Sequence, residues 1–110
     1  MTVNEMMTKS EFQVINEGTE TEREIVKPFC CDLLSIAMSK APAGAAWVTV
    51  MGNINTLAVA SLTDCAVVIL AEGARLDDVA IAKAKSQGIT ILATEEPVYE
   101  TAKMIGKAIE

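Results

Sequence analysis

The stretch from Ala46 to Leu70, AWVTVMGNINTLAVASLTDCAVVIL, decides the fold of this chain. A β-branched apolar run passes through Gly52 and Asn53 into a second apolar run of helical length, and the stretch closes on the continuously apolar run VVIL. Strand, helix and strand in that order are typical of a crossover unit in a parallel sheet. Because polar residues recur throughout the stretch, it is not a lipid-spanning helix.

The same alternation continues on both sides of this unit. The predicted strands cover residues 11–16, 24–27, 46–51, 66–71 and 89–93, and the predicted helices cover residues 33–38, 53–62, 77–86 and 97–109. Pro97 is suited to a first helical residue, and Gly88 to a left-handed helix C-terminus. The pattern predicts a three-layer α/β/α domain with a largely parallel central sheet and helices on both faces.

The composition is that of one small domain. The chain has 110 residues, 51% of them apolar but only 4% aromatic, so the core must be built from aliphatic side chains. Residues 1–9 lack hydrophobic periodicity and are predicted to form a flexible N-terminal tail, which leaves residues 10–110 as a single α/β domain.

Charge and targeting signals restrict the partners. A net charge of -6, with the basic residues spread singly, disfavours nucleic acid, whose binding depends on neutralised phosphates. The N-terminus lacks the pattern of a signal peptide, so we expect a cytoplasmic protein that does not bind membranes. The three cysteines are then expected to be reduced thiols.

Several motifs together carry a family resemblance. They are Cys31-Asp32-Leu33-Leu34-Ser35, Trp47-Val48-Thr49-Val50, Asn55 leading into Leu57-Ala58-Val59-Ala60, Val67-Val68-Ile69-Leu70 and the loop from Gly73 to Asp78. In this order they resemble the DRTGG-domain family over nearly the whole chain. The literal five-residue DRTGG string is absent, and Lys27-Pro28 stand where relatives tend to carry glycine.

The resemblance implies a fold like the N-terminal domain of HPr kinase/phosphorylase. Members of the family occur alone or fused to enzymes such as phosphotransacetylases and CBS-containing pyrophosphatases. In those settings the domain is a regulatory or dimerising module. The resemblance therefore implies a stand-alone regulatory domain here.

Residues able to carry catalysis are few. The chain has no histidine, so Ser35 has no evident base, and Asp32 is suited to capping the helix after it. Cys30-Cys31 near a helix N-terminus has two interpretations, a reactive thiol pair or simple packing, whereas Cys65 is expected in the core. We expect no catalytic constellation, no metal site and no cofactor.

A ligand site is predicted from topology, because open parallel sheets bind ligands outside the carboxyl ends of their strands. The residues expected there are Gly52, Asn53, Asn55, Gly73, Arg75 and Thr94. The glycines allow close backbone approach and Arg75 is compatible with phosphate. The same rim carries several acidic residues, and the alternative is that the glycines are turn residues and the acids helix caps.

The predicted helix over residues 53–62 is apolar on every side. Ile54, Leu57, Ala58 and Leu62 are therefore candidates for a dimer interface, unless neighbouring elements bury this helix completely.

These observations predict a non-catalytic regulatory or ligand-sensing module. We expect a homodimer that binds a nucleotide or another small ligand at the strand-end loops. The alternative is a ligand-free interaction or scaffold subunit of a partner enzyme. A third hypothesis is a redox enzyme that uses Cys30 and Cys31.

Overall fold

The computed structural model describes residues 1–110, which form an α/β domain. The elements in chain order are α1 (Val3–Met7), β1 (Gln13–Asn16), β2 (Pro28–Cys30), α2 (Leu34–Lys40), β3 (Ala46–Thr49), α3 (Ile54–Leu62), β4 (Val67–Leu70), α4 (Asp78–Gln87), β5 (Ile91–Ala93) and α5 (Val98–Ile109). None of the helices is both long and apolar enough to span a bilayer.

The five strands form one sheet in the order β1-β5-β4-β3-β2. Strands β2, β3, β4 and β5 run parallel to one another, while β1 lies antiparallel beside β5. The predicted fold class, a three-layer α/β/α domain with a largely parallel sheet, is confirmed. Three helices, α2, α3 and α4, connect the parallel strands.

Alternate residues of the central strands supply the two halves of the core. Val67 and Ile69 pack on the side that holds α1 and α5, with Ile105 among their neighbours. Val68 and Leu70 pack on the opposite side, with residues of α2, α3 and α4. Because helices cover both faces, these strands are apolar at every position, as the sequence predicted.

Local capping sets the helix boundaries. Asp77 accepts a hydrogen bond from the backbone of Ala80 at the start of α4, and Gly88 ends that helix with a φ of 68°. The predicted left-handed position of Gly88 is confirmed. Helix α5 begins one residue later than predicted, because Pro97 is its N-cap and not its first helical residue.

Residues 1–9 do not form the predicted tail. They contain α1, which begins with a capping box between Thr2 and Glu5 and buries Val3 and Met6 completely. The helix is too short for its period to be seen in the sequence, and burial of its apolar side chains against the sheet stabilises it.

The second strand also lies elsewhere than predicted. Residues 24–27 are not in the sheet, and β2 begins at Pro28. Proline is tolerated there because it is the first residue of an edge strand, where its missing N–H is not needed.

Candidate functional site

A crevice opens where two neighbouring loops leave the sheet in opposite directions. The chain after β4 leads to α4 on one face, whereas the chain after β5 leads to α5 on the other. Divergence of this kind between adjacent parallel strands leaves a gap at their carboxyl ends, which is where ligands bind in open α/β sheets.

Backbone hydrogen bonds tie the two loops together. The N–H of Gly73 donates to the carbonyl of Thr94 at 3.0 Å, and the N–H of Glu72 donates to that of Glu96 at 2.9 Å. Glu72 and Gly73 both have positive φ, 60° and 71°. Glycine adopts the positive φ at position 73 without strain, and an added methyl group there would also require the flexible carboxylate of Glu95 to move.

Beside the two loops, the antiparallel strand β1 forms a further wall of the crevice. Its register with β5 shifts between Val14 and Asn16, which leaves Ile15 as an extra residue. Bulges of this kind change the direction in which a side chain points. Ile15 packs with the core residues beneath α4 and also lines the crevice.

The result is a cleft of about 390 Å³. Its lining residues are Ser10, Glu11, Phe12, Gln13, Ile15, Leu70, Gly73, Ala74, Arg75, Leu76, Ile81, Ala93, Thr94 and Glu95. Half of them are hydrophobic, and the others are polar or charged apart from Gly73. Sites for small molecules commonly combine apolar walls with polar groups.

Three charged residues line the cleft, Arg75 together with Glu11 and Glu95. The ion pairs of the chain lie elsewhere, between Arg23 and Asp64 and at the N-terminus. No ion pair joins the three charged residues of the cleft, all of which are exposed to solvent.

The structure brings three of the six predicted ligand residues to the cleft, namely Gly73, Arg75 and Thr94. Gly52 packs against the backbone carbonyl of Arg75, in the loop between β4 and α4. Asn53 is the N-cap of α3 and accepts hydrogen bonds from the N–H groups of Asn55 and Thr56. Asn53 and Asn55 do not line this cleft.

The apolar helix α3 is only partly available to a partner. Leu57, on the inner face of this helix, is fully buried, so the prediction that Leu57 belongs to a dimer interface is wrong. Leu62 and Ile54 are 74% and 39% exposed, and Ala58 is exposed as well. A helical period of 3.6 residues places Leu57 on the face toward the sheet.

Asp32 has a different role from the predicted one. The N-cap of α2 is Leu33, and no side chain caps this helix. Instead the Oδ1 atom of Asp32 accepts hydrogen bonds from the hydroxyl of Thr49 at 2.7 Å and from the N–H of Val50 at 2.9 Å. The carboxylate thereby links the loop after β2 to the end of β3.

The cysteines lie outside the cleft and are all free thiols. Although Cys30 is exposed, partial burial of its thiol raises the pKa of Cys30, and the nearby charge of Asp32 raises it further. Burial also raises the pKa of Cys65, which is only partly offset by a hydrogen bond with Thr63. Raised pKa values leave less nucleophilic thiolate at neutral pH. No cluster of three or more potential metal ligands is present.

Comparison with known proteins gives a structural likeness without close sequence similarity. A comparison with protein-family models and one with curated proteins each found no match. Among solved structures, the chain is similar to the CBS and DRTGG domains of the regulatory region of Clostridium perfringens pyrophosphatase, a structure complexed with its activator, diadenosine tetraphosphate.

This likeness has a TM-score of 0.74 at 14% sequence identity, and it covers 94% of the present chain. The chain spans 45% of the length of that regulatory region. At such low identity the likeness shows a shared fold, of the kind that the sequence resemblance implied. No family match supports membership of the DRTGG family itself.

Sequence reasoning missed the contribution of the segment before and within β1. Four consecutive residues, Ser10 to Gln13, line the cleft. The alternating pattern over residues 11–16 did indicate a strand, but a strand pattern alone does not say which neighbour the strand pairs with. Only its antiparallel pairing with β5 brings this segment to the carboxyl ends of the parallel strands.

Proposed function

We propose that this protein is a non-catalytic regulatory module that senses a small ligand. The observation that carries the proposal is the cleft of about 390 Å³ at the carboxyl ends of β4 and β5. It lies where the fold leaves a gap, and its unpaired charges and apolar walls are suited to holding a ligand.

The structural neighbour supports a regulatory role. A regulatory region of the same fold is complexed with an activator that is a nucleotide derivative. A nucleotide is therefore one class of ligand to be tested here, with Arg75 as the residue that would contact phosphate. Gly73 and Thr94 would contact the ligand through the two loops that they anchor.

The first experiment is a thermal-melt screen of the purified chain. The compounds would be nucleotides, dinucleotide polyphosphates, acyl phosphates, amino acids and divalent metals. A ligand present at a hundred times its dissociation constant adds about 2.7 kcal/mol to the free energy of unfolding. For a domain of this size that corresponds to a rise in Tm of roughly 10 °C.

A matched pair of variants locates the site. Arg75→Ala removes a cation from the cleft, whereas Lys85→Ala removes one from the exposed last turn of α4. We expect the ligand-induced rise in Tm to be lost in Arg75→Ala and kept in Lys85→Ala. A screen without any shift, or equal shifts in both variants, would contradict ligand sensing in this cleft.

We propose further that the module is a homodimer. Two neighbouring helices, α2 with its N-cap residue and α3, carry large exposed apolar side chains. They are Leu33, Ile36, Met38, Ile54 and Leu62. Several such side chains exposed on adjacent elements are typical of an interaction surface, and a second copy would bury them.

The same surface supports the second candidate function, a ligand-free interaction or scaffold subunit of a partner enzyme. In that case α2 and α3 would bind a different protein. Stoichiometric capture of a partner that persists without any small ligand and is lost in Leu62→Glu would favour this function over ligand sensing. Residence in the cytoplasm stays a prediction from the sequence.

A further inference from the structure

We propose that the cleft binds a small zwitterion with an apolar side chain, the chemical class of the apolar α-amino acids. This inference rests on the ligand-sensing function proposed above and names the ligand class of the same cleft.

The charges of the cleft are of both signs. Arg75 supplies one positive charge, while Glu11 and Glu95 supply two negative ones, and none of the three is in an ion pair. An arginine side chain binds a carboxylate through two parallel hydrogen bonds, and a carboxylate accepts strong hydrogen bonds from an ammonium group. A ligand that carries one carboxylate and one ammonium group would satisfy both kinds of charge.

The apolar walls predict the rest of the ligand. Phe12 and Leu70 are already buried in the core, whereas Ile15, Leu76 and Ile81 in the same lining are half-buried and keep apolar surface exposed. An aliphatic or aromatic side chain on the ligand would bury additional apolar surface against them. Polar amino acids would leave these walls without an apolar partner.

Charge and volume together disfavour polyphosphates in this cleft. The lining contains two carboxylates and one guanidinium, so its charge is negative overall. A phosphate chain with several negative charges would be repelled by both glutamates, because like charges brought together disfavour binding. A volume of about 390 Å³ also lies near the lower end of the range for ligand sites.

The experiment measures how each charged group of the ligand contributes to affinity. Titration calorimetry on the full chain would compare L-leucine with 3-methylbutylamine, which lacks the carboxylate, and with 4-methylpentanoate, which lacks the ammonium group. L-Phenylalanine, 2-phenylethylamine and 3-phenylpropanoate form a second such series. We expect each amino acid to bind about tenfold or more tightly than either of its analogues.

Variants show which residue binds the carboxylate of the ligand and which residues bind its ammonium group. Arg75→Gln should weaken the amino acids about tenfold and leave the amines unchanged. The double variant Glu11→Gln/Glu95→Gln should weaken the amino acids similarly and leave the carboxylic acids unchanged. Lys85→Gln is the control outside the cleft, and the Tm of each variant without ligand shows whether it is folded.

The outcomes separate this inference from the proposed function. If nucleotides bind in a manner that depends on Arg75 and neither amino acid binds, the zwitterion inference is overturned while ligand sensing stands. If no compound of either kind binds, both proposals fail. If the amino acids bind equally well to wild type and to Arg75→Gln, they bind elsewhere and the inference is again overturned.

Discussion

The carboxylate of Asp32 lies 2.7 Å from the hydroxyl of Thr49, so the loop after the edge strand β2 is held to the end of the neighbouring strand β3. The side chain of Thr49 is fully buried, and its hydroxyl also accepts a hydrogen bond from the N–H of Met51. The hydrogen bond between Asp32 and Thr49 joins the loops that follow the neighbouring strands β2 and β3.

Removing the carboxylate should destabilise the domain. In Asp32→Ala the buried hydroxyl of Thr49 loses its acceptor, and we expect the free energy of unfolding to fall by about 1–3 kcal/mol. Asp32→Asn keeps an acceptor oxygen and should lose much less. Urea unfolding of wild type and the two variants measures both changes, and equal losses in Ala and Asn would contradict the hydrogen-bonding role.

The loop that carries Arg75 depends on the absence of a side chain at position 52. In Gly52→Ala the new methyl group would collide with the carbonyl oxygen of Arg75, and we expect a loss of about 1–3 kcal/mol from overpacking. Ligand binding in the cleft should weaken as well, because the loop must move.

Gly106→Ala is the matched control for that substitution. Gly106 lies within α5, and the nearest atom to an added methyl group is Cγ of Pro28 at 3.9 Å, an ordinary contact. Alanine favours the helix, so this variant should be more stable by about 0.5–1 kcal/mol. Thermal melts of the two variants test the contrast, and destabilisation of both to the same extent would refute it.

An exposed ion pair makes stability depend on pH. Arg23 donates two hydrogen bonds to the carboxylate of Asp64, at 2.7 and 2.8 Å, which lowers the pKa of Asp64. Because the pKa is lower in the folded chain, this stabilisation is complete above the pKa of the unfolded carboxyl, near pH 4, and disappears as pH falls through the folded value.

Asp64→Asn should therefore lower Tm by a few degrees at pH 7 and by less as the pH approaches 3. Asparagine tolerates the positive φ of 61° at this position, so the backbone is not the cause of the change. Calorimetric melts between pH 7 and pH 3 measure the difference. A difference that is constant over this range would show that the charge of Asp64 is not responsible.

The proposed dimer predicts a mass of twice 11.7 kDa by light scattering during gel filtration. Leu62→Glu should shift the protein toward monomer, since it places a charge at the most exposed apolar position of α3. Val79→Glu, at an exposed position of α4, should leave the dimer intact. A wild-type protein that is monomeric at every concentration would refute the dimer.

The thiols should react slowly. Burial raises the pKa of both Cys30 and Cys65, so their alkylation by iodoacetamide at pH 7 should be slower than that of free cysteine and should accelerate above pH 9. Mass spectrometry of the labelled peptides measures each rate. Fast labelling of Cys30 at neutral pH would support the redox hypothesis instead.

The sequence by itself determined the order of the elements from Ala46 to Ile109 and the fold class. Continuous apolar runs such as VVIL, separated by helical runs, permit few packed arrangements other than a covered parallel sheet. A local signal was also reliable for the left-handed Gly88, whose conformation ends its own helix. The presence of Arg75 and Gly73 in a strand-end loop followed from the same rules.

The tertiary structure decided what depends on contacts between distant segments. Antiparallel pairing of β1 with β5 brings residues 10–13 into the cleft, and helix α1 forms because the sheet buries Val3 and Met6. Asp32 accepts a hydrogen bond from Thr49, 17 residues away, and does not cap helix α2, which follows it in the chain. No local pattern encodes such contacts, because their free energy is gained only when the whole sheet has assembled.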